Sequence, residues 1–259
     1  MTRPRRAAIG APPADLRATT VTFMSAGDTL RGWLVPGMPG RGVVVLMHGV
    51  HDDRRRMIGR ARFLTRAGYG VLLFDFHAEG ASSGRRITFG ATEAADAEAA
   101  VAFVRSRFPT ERVGAIGVSM GGAAALLGRA PIDVNALVLE SVYPTIDDAV
   151  RDRLTAHIGP LGAWLGPLFL AQLQPRLGIG ERALRPIDHI AQVRAPLLIM
   201  SGTADRDTHI EETRALYARA PEPKWLWAVP GAGHEDLHAY RPAEYERRVL
   251  AFFAGTLSR

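Results

Sequence analysis

The sequence predicts an α/β fold: a doubly wound, mostly parallel sheet with an inserted helical cap. Three observations predict it. Short apolar runs recur along the 259 residues, segments with helical periodicity separate them, and residues 143–190 interrupt this alternation. A strand, a helix and the next strand form a right-handed crossover, so repetition of this unit builds a parallel sheet with helices on both faces.

The strands are short runs rich in Val, Ile and Leu. Runs of this length without polar alternation are typical of strands that are buried on both faces. They lie at residues 43–49, 71–76, 113–118, 136–142, 196–202 and 225–231. Upstream, residues 19–23 and 30–36 flank the turn-like SAGD and predict an antiparallel hairpin at the sheet edge.

Helices are expected between the strands, where apolar residues recur at helical spacing with charges opposite. These segments are residues 54–68, 91–108, 121–130 and 211–220, and a further helix over residues 241–257 is expected after the last strand. Residues 143–190 are rich in Pro, Gly, Leu and Trp and interrupt the alternation of strands and helices. Insertions of this length usually have a function, and we predict that this one forms a helical cap. We also expect a flexible N-terminal tail over residues 1–17, before the first predicted strand, and a single domain over residues 18–259.

Composition and charge exclude several classes of function. The chain has no cysteine, so disulfides, thiolate nucleophiles and sulfur-ligated metals are ruled out. The net charge of +6 comes from arginines scattered along the chain, without a zinc-finger spacing or an RNA-binding aromatic pattern, and predicts no nucleic-acid partner. The first twenty residues lack the apolar core of a signal peptide, so we expect a cytoplasmic protein. Composition leaves the oligomeric state open.

Residues 154–175 contain no Asp, Glu, Lys or Arg and are nominally long enough to span a bilayer. Two internal prolines, three glycines, His157 and two glutamines argue against such a span. We therefore predict no stable membrane insertion and interpret the stretch as a lid over the rest of the domain. Contact with a membrane surface is the alternative.

Ser119 is the strongest nucleophile candidate. It lies in GVSMGG, directly after the strand at 113–118 and directly before a helix, which is the context that a nucleophile elbow requires. Side chains two residues before or after such a serine would collide with the neighbouring strand and helix, and Gly117 and Gly121 remove these collisions. A turn serine without a chemical role is the alternative.

A serine hydroxyl needs a base, and the base needs a carboxylate that holds its tautomer. Both are expected downstream, at the carboxyl ends of later strands. Asp205 follows the next-to-last strand, with Asp207 as its rival in the same loop. His234 follows the last strand, with His238 as its rival. The order of Ser119, Asp205 and His234 along the chain is one that serine hydrolases use.

The same sheet edge offers two backbone donors for a developing oxyanion. The run that ends in His48 and Gly49 would turn the amide of Val50 toward the serine, and the amide of Met120 begins the helix after it. The side chains of HGVHDD, residues 48–53, raise the alternative of a metal site, but their spacing fits no familiar arrangement. We predict no metal.

Together these motifs resemble those of the α/β-hydrolase superfamily, from about residue 30 to residue 257. The matching pieces are HG at 48–49, DFHAEGASSG from Asp75, GVSMGG around Ser119, GTAD ending at Asp205 and GAGH ending at His234. The chain is most similar to small bacterial carboxylesterases and serine aminopeptidase-type hydrolases. The resemblance implies an α/β-hydrolase fold and no cofactor. It also implies these roles: nucleophile Ser119, acid Asp205, base His234, and an oxyanion hole at Val50 and Met120.

Two departures from the family pattern are visible. Relatives usually read D-x-R-G-x-G-x-S, whereas this chain has His77 and Ala78 in place of the arginine and the first glycine. Any structural role that the arginine has in relatives has to be filled by another residue in this chain. Thr208 and His209 stand where relatives often have a proline. Neither departure touches the expected chemistry.

We expect a serine hydrolase that cleaves carboxylic esters of small to medium acyl chain through an acyl-enzyme intermediate. Its partner would be a small-molecule ester. The substrate pocket is expected among His51, Tyr143, Trp164, Leu168 and Phe169. Cleavage of peptides or other amides by the same residues is the nearest alternative. A non-catalytic module that binds an apolar ligand is another.

Overall fold

A central sheet organises the chain. The computed structural model describes residues 2–159 and 161–257. In this part of the chain the strands are β1 (Arg5–Arg6), β2 (Thr19–Ser25), β3 (Asp28–Val35), β4 (Val43–Met47), β5 (Gly70–Asp75), β6 (Glu79–Gly80), β7 (Val113–Val118), β8 (Ala136–Glu140), β9 (Leu197–Gly202) and β10 (Lys224–Val229). Eight of these described strands form the sheet, in the order β2-β3-β5-β4-β7-β8-β9-β10, and β3 is antiparallel to both its neighbours. The predicted doubly wound, mostly parallel sheet is confirmed.

Helices cover both faces of the sheet. They are α1 (Ile58–Arg66), α2 (Glu93–Arg107), α3 (Met120–Leu126), α4 (Ile146–Ile158), α5 (Leu161–Leu170), α6 (Leu173–Leu177), α7 (Pro186–His189), α8 (Ile210–Arg219), α9 (Leu237–Tyr240) and α10 (Pro242–Thr256). α2, α3 and α8 pack on one face, and α1 and α10 pack on the other. Val43 and Val45 of β4 join the first hydrophobic cluster, whereas Val44 and Leu46 join the second. A strand buried on both faces requires the continuous apolar run that the sequence has here.

The chain between β8 and β9 contains α4, α5, α6 and α7. Thr145 caps α4, because its hydroxyl accepts a hydrogen bond from the amide of Asp148, and Gly159 follows the helix with a φ of 72°. α4 and α5 pack against each other, and Pro167 lies inside α5. These four helices lie within residues 143–190, where the sequence predicted the cap. Residue 160 lies outside the described residues.

Residues 2–17, for which the sequence predicts a flexible tail, contact the rest of the chain. β1 pairs with β6 in a small parallel sheet, and the amide of Ile87 donates to the carbonyl oxygen of Thr2. Leu16 is 3% exposed and packs in the second cluster. Backbone pairing and one buried leucine therefore attach this segment to the rest of the chain. Residue 1, also part of the predicted tail, lies outside the described residues.

His77 carries a positive charge at the position where relatives have an arginine. Its Nδ1 lies 2.6 Å from Oδ2 of Asp96, and its Nε2 lies 3.0 Å from the hydroxyl of Thr92. Burial lowers the pKa of this histidine, but the hydrogen bond and the charge of Asp96 raise it more, to about 9. The imidazolium therefore ties the segment after β5 to α2. Ala78 has a φ of 63°, in the left-handed region that favours the glycine of the relatives.

The raised pKa of His77 predicts a pH-dependent contribution to stability. The folded pKa lies above the ordinary value of 6.5, so the contribution is complete below pH 6.5 and is lost as pH rises through about 9. His77→Gln keeps hydrogen-bonding groups and removes the charge. We therefore expect it to lower the free energy of unfolding more at about pH 6 than at about pH 10. Urea unfolding at both pH values measures this difference.

His157→Gln is the matched control, because the ring of His157 contacts the backbone carbonyl of Arg153 rather than a carboxylate. The control should show the same small effect at both pH values. Equal losses of stability at both pH values for His77→Gln would contradict the charged pairing with Asp96.

Candidate active site

The chain turns sharply at Ser119, between β7 and α3. Its backbone has a φ of 49° and a ψ of −114°, a conformation that costs a residue other than glycine about 1–3 kcal/mol. The amide of Ser119 donates to the carbonyl oxygen of Glu140 over 2.8 Å, and its own carbonyl oxygen accepts the amides of Gly122 and Ala123. One residue thus joins a strand directly to a helix at the carboxyl end of the sheet.

Two glycines make this turn possible for steric reasons. A Cβ atom on Gly117 would lie 2.6 Å from Cα of Gly122. A Cβ atom on Gly121 would lie 2.6 Å from the carbonyl oxygens of Met47 and His48. Real Cβ atoms do not approach other atoms this closely. α3 therefore begins in contact with the end of β4, which brings the serine beside the loop after that strand.

Asp205 and His234 are in direct contact. Nδ1 of His234 lies 2.9 Å from Oδ2 of Asp205. Oδ1 of Asp205 accepts hydrogen bonds from the amides of Asp207 and Thr208, and the residue is 3% exposed. Burial acts to raise the pKa of Asp205, but the hydrogen bonds from His234 and from these two amides lower it more, so the pKa lies below its ordinary value. Asp205 is therefore an ionised carboxylate that holds one nitrogen of the imidazole.

The rivals of these two residues have other partners. Oδ2 of Asp207 lies 2.9 Å from Nη2 of Arg153 on α4. Nε2 of His238 lies 3.0 Å from Oε1 of Glu246 on α10, and its ring packs beside Phe63. Asp207 therefore joins the loop after β9 to α4, whereas His238 joins α9 to α1 and α10.

The loop after β4 closes over the serine. A Cβ atom on Gly49 would lie 3.7 Å from Cβ of Ser119. The buried ring of His48 holds this loop, because its Nε2 accepts the amide of Phe76 at 3.1 Å. That bond places the ring proton on Nδ1, which lies 2.7 Å from the carbonyl oxygen of Gly49. His48 thus anchors the loop through backbone groups on both sides.

A buried ion-pair network holds the segment that follows His234. Nη2 of Arg60 lies 2.6 Å from Glu140 at the end of β8, and Nη1 lies 2.9 Å from Asp236. Tyr245 donates a hydrogen bond to Glu140 from α10. Burial acts to lower the pKa of Arg60, but the carboxylate of Glu140 raises it well above its ordinary value. Sequence reasoning missed this arginine, because it stands in a segment with five other arginines and no pattern marks it as buried.

Ser119 and His234 line a cavity of about 280 Å³ beneath the cap helices. Val50 and Met120, whose amides were the expected oxyanion donors, line it as well. The other apolar side chains that line it are Phe89, Tyr143, Ile146, Ala149, Val150, Leu154, Phe169, Leu173 and Leu177. The cavity is therefore predominantly apolar, and its volume lies just below the range of about 300–1,000 Å³ that is typical of ligand pockets.

Tyr143 and Phe169 are the residues predicted for the pocket that do line this cavity. His51, Trp164 and Leu168 lie outside it. His51 stands in the turn after Val50, where its backbone has a φ of 62°. Trp164 and Leu168 are 86% and 61% exposed, because α5 turns this face away from the sheet. Apolar spacing shows that a helix has an apolar face but not what that face contacts, so the sequence could not separate these residues from Phe169.

A second pocket, of about 120 Å³, meets the cavity at Ser119 and His234. Its lining is mixed and includes the side chains of Asp52, Arg56 and Asp236 together with those of Val50 and Met57. The serine and the imidazole therefore stand between an apolar compartment and a smaller one of mixed polarity.

Within residues 2–159 and 161–257, no group of three or more His, Asp or Glu side chains could hold a metal ion. Two side chains of residues 48–53 have other partners: His48 binds backbone groups, and Asp53 accepts hydrogen bonds from Arg55. In the same described ranges every helix is too short or too polar to cross a bilayer.

Comparison with known proteins identifies the family. The model of the serine aminopeptidase family S33, a family of hydrolases, matches residues 39–185. The chain belongs to this hydrolase family. The matched part includes the turn at Ser119, whereas Asp205 and His234 lie beyond it, so their placement rests on the geometry described above.

Relatives and solved structures agree with this assignment. An uncharacterised protein of Mycobacterium tuberculosis is 31% identical over 217 residues, which are 81% of this chain and 69% of that protein. The alpha/beta hydrolase domain-containing protein 17C of Xenopus tropicalis is 30% identical over 240 residues, covering 89% of this chain and 68% of that protein. An esterase of Pyrococcus furiosus superposes with a TM-score of 0.82 at 25% identity, over 100% of this chain and 99% of that one. The chain therefore has the α/β-hydrolase fold of this superfamily.

The steric account of the turn predicts a large effect of one methyl group. Gly121→Ala would place Cβ against the backbone of β4, which is rigid, so we expect a loss of about 1–3 kcal/mol or more in the free energy of unfolding. Gly255→Ala is the control, because the same change in α10 meets no atom within 4 Å. It should be neutral or raise stability by up to about 1 kcal/mol. Similar unfolding midpoints for the two variants in urea would contradict the account.

Proposed function

We propose that this hydrolase cleaves carboxylic esters of small to medium acyl chain through an acyl-enzyme intermediate. One observation carries the proposal: Ser119 and His234 line the same apolar cavity, and the imidazole is bound at Nδ1 by the buried carboxylate of Asp205. This is the arrangement of nucleophile, base and orienting acid that acyl transfer uses. The fold similarity to an esterase supports the same reaction class.

In the proposed reaction, the hydroxyl oxygen of Ser119 attacks the ester carbonyl carbon while its proton passes to Nε2 of His234. The carbonyl oxygen becomes an oxyanion, which the amides of Val50 and Met120 would stabilise, each worth about 3–4 kcal/mol. The tetrahedral intermediate collapses, and the leaving alcohol takes the proton from Nε2. Water then attacks the acyl-enzyme by the same steps and releases the carboxylic acid.

Asp205 has the contact and the charge that an orienting acid needs. Its hydrogen bond fixes the ring proton on Nδ1 of His234, so Nε2 is left as the base. Its lowered pKa keeps it charged when the imidazolium forms. Among the described residues, Ser119 Oγ makes no hydrogen bond to the imidazole, and in hydrolases without substrate this contact is often long and tightens when substrate binds.

The apolar cavity favours esters with an uncharged acyl chain over aminoacyl amides. A free amino group next to the scissile bond would call for an unpaired carboxylate in the acyl compartment. Asp207 is the only Asp or Glu among the described residues that line the cavity, and it is paired with Arg153. The second, smaller compartment beside His234 would receive the alcohol, which has to reach Nε2 to take its proton.

Matched variants test the proposal with nitrophenyl esters of increasing acyl length. Ser119→Ala should reduce kcat by about three orders of magnitude or more, and Asp205→Asn by about four. Asp207→Asn is the control in the same loop. It breaks an ion pair that is partly exposed, and such pairs contribute at most about 1 kcal/mol. We therefore expect kcat to change by no more than about fivefold.

Three results would contradict the proposal. Equal activities for Asp205→Asn and Asp207→Asn would show that Asp205 is not the orienting acid. A strong preference for aminoacyl anilides over all esters would make the protein a peptidase. Unchanged retention of an apolar ligand by Ser119→Ala, with no turnover by the natural chain, would make it a binding module.

A further inference from the structure

The cap carries an exposed apolar surface next to the cavity mouth. We define the apolar patch as Ile158, Trp164, Leu165, Leu168 and Phe169, all of which are exposed. Phe169 is 44% exposed and also lines the cavity, so the patch continues into the cavity. Large apolar side chains that are grouped on a surface and continuous with a binding cavity are typical of an interaction site.

An arginine cluster also adjoins this cavity. We define the basic patch as Arg3, Arg5, Arg6, Arg85, Arg86 and Arg176, all of which are exposed. Hydrogen bonds join the three segments that carry them. The amide of Ile87 donates to Thr2, Arg6 donates to the carbonyl oxygen of Gly84, and Arg86 donates to the carbonyl oxygen of Arg176.

The basic patch has no internal counter-charge. Residues 2–6, 84–87 and 171–178 contain no Asp or Glu. None of the ion pairs within residues 2–159 and 161–257 involves any of the six arginines. Arginine binds phosphate oxygens in a bidentate manner, so an unpaired cluster of this kind favours an anionic partner with many phosphates.

Both patches border one opening. Thr2 and Arg176 of the basic side line the cavity, as does Phe169 of the apolar side. Gln172, which precedes α6, and Leu173, its first residue, also line the cavity, so residues that line it recur along the chain from Phe169 to Arg176. A partner that covers both patches would therefore cover the cavity mouth, and it has to offer an apolar region beside a phosphate-rich one.

We propose that the apolar and basic patches dock this protein on the surface of an anionic phospholipid bilayer, with the cavity mouth facing the lipid. The apolar patch enters the interface, where tryptophan is favoured because its ring has an apolar body and a polar N–H group. The arginines bind lipid phosphates. This is peripheral binding, in which α5 lies in the plane of the interface.

A second copy of the chain fits this surface poorly. A two-fold symmetric dimer through the apolar patch would bury that patch against the same patch of the second copy and would supply no anionic group to the basic patch. A bilayer with anionic lipids satisfies both patches at once.

Vesicle flotation with the full chain tests the proposal, using phosphatidylcholine vesicles with and without phosphatidylglycerol. We expect binding to the anionic vesicles, weaker binding in high salt and little binding to the neutral ones. Arg3→Gln with Arg85→Gln should weaken binding by about fivefold for each arginine. Trp164→Ser with Leu168→Ser should weaken it by about tenfold or more. None of these four residues lines the cavity, so hydrolysis of a short soluble ester should not change.

The control variants replace exposed side chains of the same kinds outside the two patches. Met38→Ser and Trp225→Ser replace exposed apolar side chains outside the patch, and Arg105→Gln with Arg247→Gln replace exposed arginines that have carboxylate partners. These variants should bind anionic vesicles like the natural chain. Equal binding of neutral and anionic vesicles, equal losses in control and patch variants, or a change from dimer to monomer in Trp164→Ser without any vesicle binding would each overturn the proposal.

Discussion

The close contact between the start of α3 and the end of β4 is the constraint on which the rest of the site depends. It exists because residues 117 and 121 have no side chain, and it forces the backbone of Ser119 into a strained conformation. Burial of β7 and α3 in the core outweighs that strain. The strand order also reverses here, since β5 lies on one side of β4 and β7 on the other, and such a reversal opens a crevice at the carboxyl ends of the strands.

The loops that meet at this crevice are held by groups far from Ser119. His48 fixes the loop after β4 through two backbone groups, and Asp205 is held by two amides of its own loop. Arg60 ties the segment after His234 to the end of β8. Each loop is thus anchored to a strand or a helix of the core, so the imidazole and the serine are positioned independently of a hydrogen bond between them.

The core of this architecture could be predicted from the sequence, and much of the periphery could not. Buried strands such as β7, residues 113–118, are continuous apolar runs, and their bounds follow from composition. The contact between Asp205 and His234 followed from motif order. The docking of residues 2–17, the charge on His77 and the outward orientation of Trp164 depend on tertiary partners, which no local pattern reports.

Covalent labelling of the natural chain tests the central claim most directly. A fluorophosphonate reacts with a serine only where a base and an oxyanion hole activate it, so the reaction depends on the whole constellation around Ser119. Mass spectrometry of the labelled and digested chain locates the adduct. The account predicts a single adduct on the peptide that contains Ser119. An adduct on another serine, or none under conditions that label a known serine hydrolase, would contradict it.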